Sequence, residues 1–574
     1  MLRRGGVYLR KQSDVIKGKI RVLCDPLSLI VLINPCVIGG YYEWASCLIS
    51  LYLICYLIVT VIRRGALKFP KSITMLATLT IPAAFTLSVF WATDSGMAPI
   101  GAVKFLPLPL FAVAIAQIDY SKRRDIISLL PLSGVIMTVL SFLLGLVAPL
   151  RGFFYINNRL AGFFQYPNTF ALYLLIGIIT IVSKDKLDIT GIIALSILFS
   201  GVFLSGSRTV MVMLFLTVIA VLFTRRSKKV KFITGVISGS LLLISALYVV
   251  FTGNYASVGR YLTTSFTQST FLGRLLYIKD ALPIIAKHPF GLGYYGYYFL
   301  QGSFQTGVYS VINIHNDFLQ IFLDIGWIPA GVVIFAVAER LWKCRHITPN
   351  FFIIAAVCVH ALFDFDLQFI PICFVLILAA ESENANYITA SVASFGIAAT
   401  VTSVICCYFG VVSCLYFLGE YRTAVKIYPC YTMALVQLLP EVQDIQELDS
   451  LAEKILALND SVALAHSAKA KVTYADGDFA NVILHKKKAI YYAAYSLDEY
   501  LDYFDMLLCG IKLYAQYGDS NSVEICKASL FEIPDMLSRV ERRTSSLAWR
   551  ITDKPVLTLP AAYSKALNEL RSGS

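Results

Sequence analysis

The sequence is poor in charge. Only 15% of its 574 residues are Asp, Glu, Lys or Arg, against about 25% in a soluble domain. With 57% hydrophobic residues and a mean hydropathy of +0.70, most of the chain cannot be solvated by water. A soluble enzyme is excluded and a polytopic membrane protein is predicted. Metal-ligand spacing is missing too. The 13 cysteines form no Cys-x-x-Cys pair and no Cys/His ligand pattern. Most of them (Cys47, Cys55, Cys358, Cys373, Cys406 and Cys407 among them) lie in apolar runs, where they behave as small hydrophobes. Acid is in deficit, with 36 Asp and Glu against 49 Lys and Arg, a net charge of +13. In a membrane protein this excess reports orientation, not nucleic-acid binding, because Lys and Arg favour cytoplasmic loops. The basic opening MLRRGGVYLRKQSDVIKGKIR is followed by no short apolar core with a small-residue cleavage site. Residues 1–19 are therefore expected to be a retained cytoplasmic tail.

What is abundant is apolar runs near spanning length. Spans are expected at roughly 20–38, 42–62, 73–92, 100–117, 126–147, 168–183, 189–205, 209–224, 232–252, 319–338, 350–363, 368–381 and 389–416, about 13 in all. FDFDLQ interrupts the stretch 350–381 and predicts a broken pair. Four basic clusters test this topology: Arg63-Arg64 with Lys68 and Lys71; Lys122-Arg123-Arg124; Arg225-Arg226 with Lys228, Lys229 and Lys231; and Arg340, Lys343 and Arg345. With the N-terminus inside, all four fall on its side, as the positive-inside rule requires. A transmembrane domain is thus expected over 20–417, with a long external loop at 253–318. Beyond 417 charge becomes frequent. Helically spaced Ala, Leu and Tyr recur between turns at 476–477 and 517–519, predicting a tetratricopeptide-like helical domain over 418–574. An odd number of spans places that domain outside, an even number inside.

Arginine is unusual in external loops, yet Arg151, Arg159, Arg208, Arg260 and Arg274 all fall there. A guanidinium offers fixed bidentate donors matched to phosphate. The ordinary alternatives are a snorkelling interfacial residue for Arg208 and a solvated loop residue for Arg159. In FLGRLLYIKDALPIIAKHPFGLGYYGYYF (271–299), Arg274, Tyr277 and Ala281 share a helix face, and the helix should end before Pro289. Gly291, Gly293 and Gly296 then predict a flexible aromatic turn. In VINIHNDFLQIFLDIGW, Asn313 is expected to cap a helix. Asp317, Gln320 and Asp324 form a polar stripe, and His315 sits at the mouth of a membrane helix. A histidine there is either a headgroup-level anchor or a base that titrates near neutral pH. The accompanying arginines and carboxylate favour the base. Lys104, Asp94, Asp364, Asp366 and His360 are read as structural, His360 and Asp364 least firmly.

GSR at 206–208, GRLLYIKDALPIIAKHPFGLGYYGY at 273–297, HNDFLQIFLDIGWIPA at 315–330 and NNRLAGFFQYPNTFALYL at 157–174 together resemble the O-antigen ligase and polymerase superfamily of bacterial membrane glycosyltransferases. The resemblance covers roughly residues 20–385. It implies an all-α, GT-C-like, metal-independent inverting transferase that needs no cofactor. Such an enzyme moves a glycan from an undecaprenyl-pyrophosphate carrier to a lipid or glycan acceptor at the outer face of the cytoplasmic membrane. Carried onto this chain, His315 is the general base, and Arg208 and Arg274, with Arg159 as an addition, hold the donor pyrophosphate. Asn316 and Asp317 join them as substrate-binding candidates. The helical tail is expected to bind the growing glycan, the acceptor or a partner protein. A transporter or flippase of lipid-linked glycans is the alternative; it predicts mid-span ionisable residues and internal helix repeats. A non-catalytic scaffold leaves the arginines unexplained.

Overall fold

The computed structural model describes residues 22–184, 187–224, 269–346, 348–380 and 386–572, with Gly235 and Gly239 between. The expected tail 1–19, the span 232–252 apart from those two glycines, the basic cluster 225–231 and Arg260 lie outside the described residues. The chain is an all-α polytopic membrane protein. Among the described residues, four helices are long and apolar enough to cross a membrane: Glu43–Arg64, Ala98–Ala116, Tyr120–Leu144 and Val392–Phe417. Shorter apolar helices fill in between them: Pro26–Cys36, Ile73–Ser88, Pro167–Val182, Ile189–Ser205, Arg208–Ala220, Pro349–Ala361 and Ile370–Ala380. The expected break in 350–381 is present as a turn between the last two.

One correction concerns 319–338, expected as a single span. It is two helices, Asp317–Ile325 and Trp327–Lys343, parted at Gly326 with φ +80°. A second concerns the cap. Asn316, not Asn313, is the N-cap, accepting from Leu319 N at 3.0 Å. The glycine turn after the helix Ser269–Lys287 is also braced, not flexible. Leu292 N donates to Leu323 O at 2.6 Å, Gly293 N to Asp324 O at 3.0 Å and Trp327 N to Pro289 O at 2.8 Å. The turn clasps the break at Gly326, so the two motifs make one elbow.

Among the described residues, the basic clusters at 63–71, 122–124 and 340–345 share one end of the bundle. Residues 66–70 pair antiparallel with 387–391, Arg64 Nη1 donates to Gln117 O at 2.6 Å and Gln117 Nε2 to Lys68 O at 2.7 Å. Arg340 Nη1 donates to Ala380 O at 2.8 Å. At the far end of Glu43–Arg64, about 33 Å away at 1.5 Å per residue, Glu43 accepts from Tyr294 OH of the long loop at 2.5 Å.

The apolar core runs unbroken from Leu27 to Val472, and a second core spans Phe479 to Leu567. The expected boundary at 417/418 coincides with the end of Val392–Phe417, while the first core continues into the tail. Tail helices pack as sequential neighbours: Ile445–Leu458 on Ala463–Ala475, that on Phe479–Tyr492, and Leu497–Gln516 on Ser520–Arg543. Among the described residues, the hydrogen bonds between tail and bundle lie at one end of the bundle. Asp94 accepts from Thr432 Oγ1 at 2.9 Å and Asn459 Nδ2 at 3.1 Å. Arg543 donates to Ser303 O at 3.1 Å, Ser545 N to Thr306 O at 2.8 Å and Thr552 N to Ser269 Oγ at 2.9 Å. The tail and the His315 loop therefore share a side, opposite the basic end.

Candidate functional site

Asp364 is the hub of the site. Burial and four donors define it. Tyr166 OH donates to Oδ1 at 2.6 Å and Asn168 Nδ2 to Oδ2 at 2.7 Å. Arg274 Nη2 reaches Oδ2 at 3.2 Å, and His315 Nδ1 lies 3.0 Å from Oδ1. The turn 362–369 carries Asp364 to this level. Pro167 opens the helix Pro167–Val182 and holds Tyr166 extended at φ −139°, ψ 107°, as a residue before proline prefers. Tyr166 and Asn168 thus straddle a helix start, whose positive end favours a carboxylate. One turn along, Asp366 accepts from Thr169 Oγ1 at 2.6 Å and pairs with His360 Nδ1 at 2.5 Å.

His315 is set by packing as well as by charge. Its ring lies 6.0 Å from Tyr277, nearly parallel, and 5.1 Å from Phe365, edge-on. Gln320 Oε1 accepts from Ile314 N at 2.8 Å, fixing the preceding backbone. The ionised Asp364 calls for a proton on Nδ1, which leaves the lone pair on Nε2. The side chain is 23% exposed, so a hydroxyl can reach it. Burial pushes the Asp364 carboxyl up, but the His315 hydrogen bond and the charges of Arg274, His315 and His360 outweigh it. They hold it below the ordinary carboxylate range. Burial, reinforced by Asp366, pushes Asp317 well above that range.

The expected site residues divide. His315 and Arg274 meet on Asp364. Arg159 joins through Asn168, with Nη2 2.5 Å from Asn168 Oδ1, and its Nε donates to Ser205 O at 2.7 Å. Its side chain lies against Gly206, where an added Cβ would stand 3.3 Å from Arg159 Nε. Arg208 opens the helix Arg208–Thr224 two residues on. Asn316 and Asp317 bond to the protein itself. Asn316 Nδ2 donates to Leu362 O at 3.0 Å, and Asp317 Oδ2 accepts from Leu367 N at 3.0 Å. Both therefore hold the 362–369 turn against the His315 loop.

Sequence reasoning read Asp364 as structural, though least firmly, placed Tyr277 on the Arg274 face without a role, and did not single out Tyr166 or Asn168. The available signal was a pair of aspartates in an apolar run, where an ionisable group is a functional candidate by default.

Among curated proteins nothing matches the chain. Residues 193–336 match the family model described as O-antigen ligase. That stretch holds Arg208, Arg274, His315, Asn316 and Asp317, while Arg159, Asn168 and Asp364 lie outside it. The match supports placing residues 193–336 with the O-antigen ligase superfamily and an O-antigen ligase-like role in polysaccharide biosynthesis.

Proposed function

We propose that the protein is an inverting, metal-independent membrane glycosyltransferase. It moves a glycan from an undecaprenyl-pyrophosphate carrier to an acceptor hydroxyl on the outer face of the cytoplasmic membrane. The observation that carries this reading is one buried carboxylate, Asp364, bonded to both His315 and Arg274. His315 Nε2 takes the proton of the acceptor hydroxyl, and the oxygen attacks the anomeric carbon from the face opposite the leaving group. The bond from that carbon to the pyrophosphate oxygen breaks, and its electron pair leaves with the pyrophosphate. Arg274, with Arg208 and Arg159, meets the charge that develops there, and fixed donors at that point lower the barrier. A positioned base contributes about 10²–10⁴-fold. Asn316 and Asp317 act as positioning residues. The GT-C-like spans hold the carrier lipid, and the tetratricopeptide-like tail, on the same side as His315, lies outside.

The test is the size profile of surface and carrier-linked glycan in cells making His315→Ala at wild-type level. Single repeat units left on the carrier identify a polymerase. Full-length chains that build up on the carrier and never reach the surface identify a ligase. An unchanged profile removes His315 as the base and, with it, this mechanism.

A further inference from the structure

A second constellation lies at the same end of the bundle. Glu43 opens its helix and accepts from Tyr294 OH at 2.5 Å. Around it gather tyrosines from three parts of the chain. Tyr41 and Tyr42 precede the helix, Tyr295 and Tyr298 come from the long loop, and Tyr416 and Tyr421 flank the junction of bundle and tail. Tyr41 and Tyr42 are 5.4 Å apart and edge-on; Tyr295 and Tyr298 are 6.2 Å apart and edge-on; Tyr416 and Tyr421 are 5.5 Å apart. Phe417, next to Tyr416, lies 4.8 Å from Tyr42, and Tyr416 lies 5.1 Å from Tyr431, which closes the ring. Tyr294 and Tyr431 are buried beneath as a floor. The other six are half-buried, five of them (all but Tyr42) packed on one side against the apolar core. The cluster is continuous with the site: Tyr41 OH stands 3.5 Å from Asn313 Nδ2, two residues before His315.

We propose that these six tyrosines and Glu43 form a glycan-binding cleft that holds the sugar chain entering or leaving the His315 site. This rests on the transferase reading and assigns the substrate a second place on the protein. The chemistry selects a sugar. A pyranose has an apolar C–H face for an aromatic ring and a rim of hydroxyls for phenol and carboxylate groups. An acyl chain has no use for a carboxylate and a ring of phenols, and these six, unlike Tyr294, are left only partly buried by the core. The contribution of Tyr421, packed on Tyr416 at the end of the last bundle helix, gives the tail a share of the substrate that the bundle alone does not provide.

The reporter is Trp44, half-buried beside Phe417 at 5.6 Å, which in turn lies 4.8 Å from Tyr42. Full-length His315→Ala protein in detergent is titrated with oligosaccharide released by mild acid from the surface polysaccharide of the producing cells. A saturable change in tryptophan emission is expected, and it disappears in Trp44→Phe. Adding Tyr42→Ala with Tyr416→Ala weakens binding on the order of tenfold or more, whereas Tyr42→Phe with Tyr416→Phe keeps it within a few-fold. No saturable change in the single His315→Ala protein overturns the cleft without needing any tyrosine variant to fold. A change produced by phospholipid vesicles and not by oligosaccharide also overturns it, in favour of lipid. Undiminished glycan transfer by His315→Ala in cells defeats the transferase mechanism instead, so the two failures are distinguishable.

Discussion

At the scale of single residues, the site turns on what Asp364 accepts. An amide there has one acceptor oxygen and faces its NH₂ towards a donor. Asp364→Asn is expected to lose glycan transfer as fully as His315→Ala, since His315 loses the partner that sets its tautomer. It should also lose about 3–5 kcal/mol of stability, the cost of breaking a buried pair, read as a fall in Tm. Wild-type transfer by this variant would end the positioning role. The carboxyl is held below its ordinary value of 3.8, so its stabilising effect is complete above that value and is lost as pH falls through the lower folded value. The acid limb of a pH–activity profile near neutrality therefore cannot come from Asp364. A profile whose acid limb is unmoved by Tyr277→Phe but abolished by Asp364→Glu would contradict this.

At the scale of elements, the elbow at Gly326 decides where His315 points. An added Cβ there would meet Phe290 C and Pro289 O at 2.5 Å each, both backbone atoms with no freedom to yield, and φ is +80°. Gly326→Ala is expected to cost at least the 1–3 kcal/mol of left-handed strain, with a lowered Tm and reduced transfer. Gly331→Ala, in open space on the next helix, should change neither. Equal thermal stability of the two variants would show that the elbow is not a constraint. The cap is a smaller lever: Asn316→Ala should cost about 1 kcal/mol from the lost cap, and more through the lost bond to Leu362 O. The helical pattern of 319–338 was legible, but its division was not, because a left-handed glycine clasped by a distant turn leaves no trace in apolar periodicity.

At the scale of the whole molecule, Asp94 joins bundle to tail. Burial pushes its carboxyl up to about 6, against the lowering effect of the Asn459 and Thr432 hydrogen bonds. A raised carboxyl means that the folded state holds the extra proton between 3.8 and about 6. Stability from this group therefore falls as pH rises through that window, and the loss is complete above it. Protease resistance of the tail junction is expected to increase between pH 7 and pH 5, and Asp94→Asn should flatten that dependence. A junction that loosens on acidification would reverse the sign. The shared core makes a second expectation: truncation after Phe417 removes Ala434, Leu435, Ala452 and Ile455 from the core they share with the bundle and leaves buried Asp94 without Thr432 and Asn459, and should abolish accumulation of the protein.

Hydropathy and charge were local quantities, and the sequence by itself determined what depends on them. The membrane class, the helical content, the grouping of Arg63, Lys68 and Arg340 at one end, and the helix stop before Pro289 follow from composition, spacing and proline sterics. His315, Arg274 and Arg159 were legible because charged groups are costly at such positions and so call for a reason. What the tertiary structure alone decided is which of them meet. Asp364 lies 49 residues from His315 and 90 from Arg274, and no pattern along the chain encodes a contact that chain folding must close. The same holds for Glu43 and its tyrosines, drawn from three segments. A carboxylate becomes a hub, and a set of rings becomes a cleft, only when packing brings their partners within hydrogen-bonding or van der Waals reach.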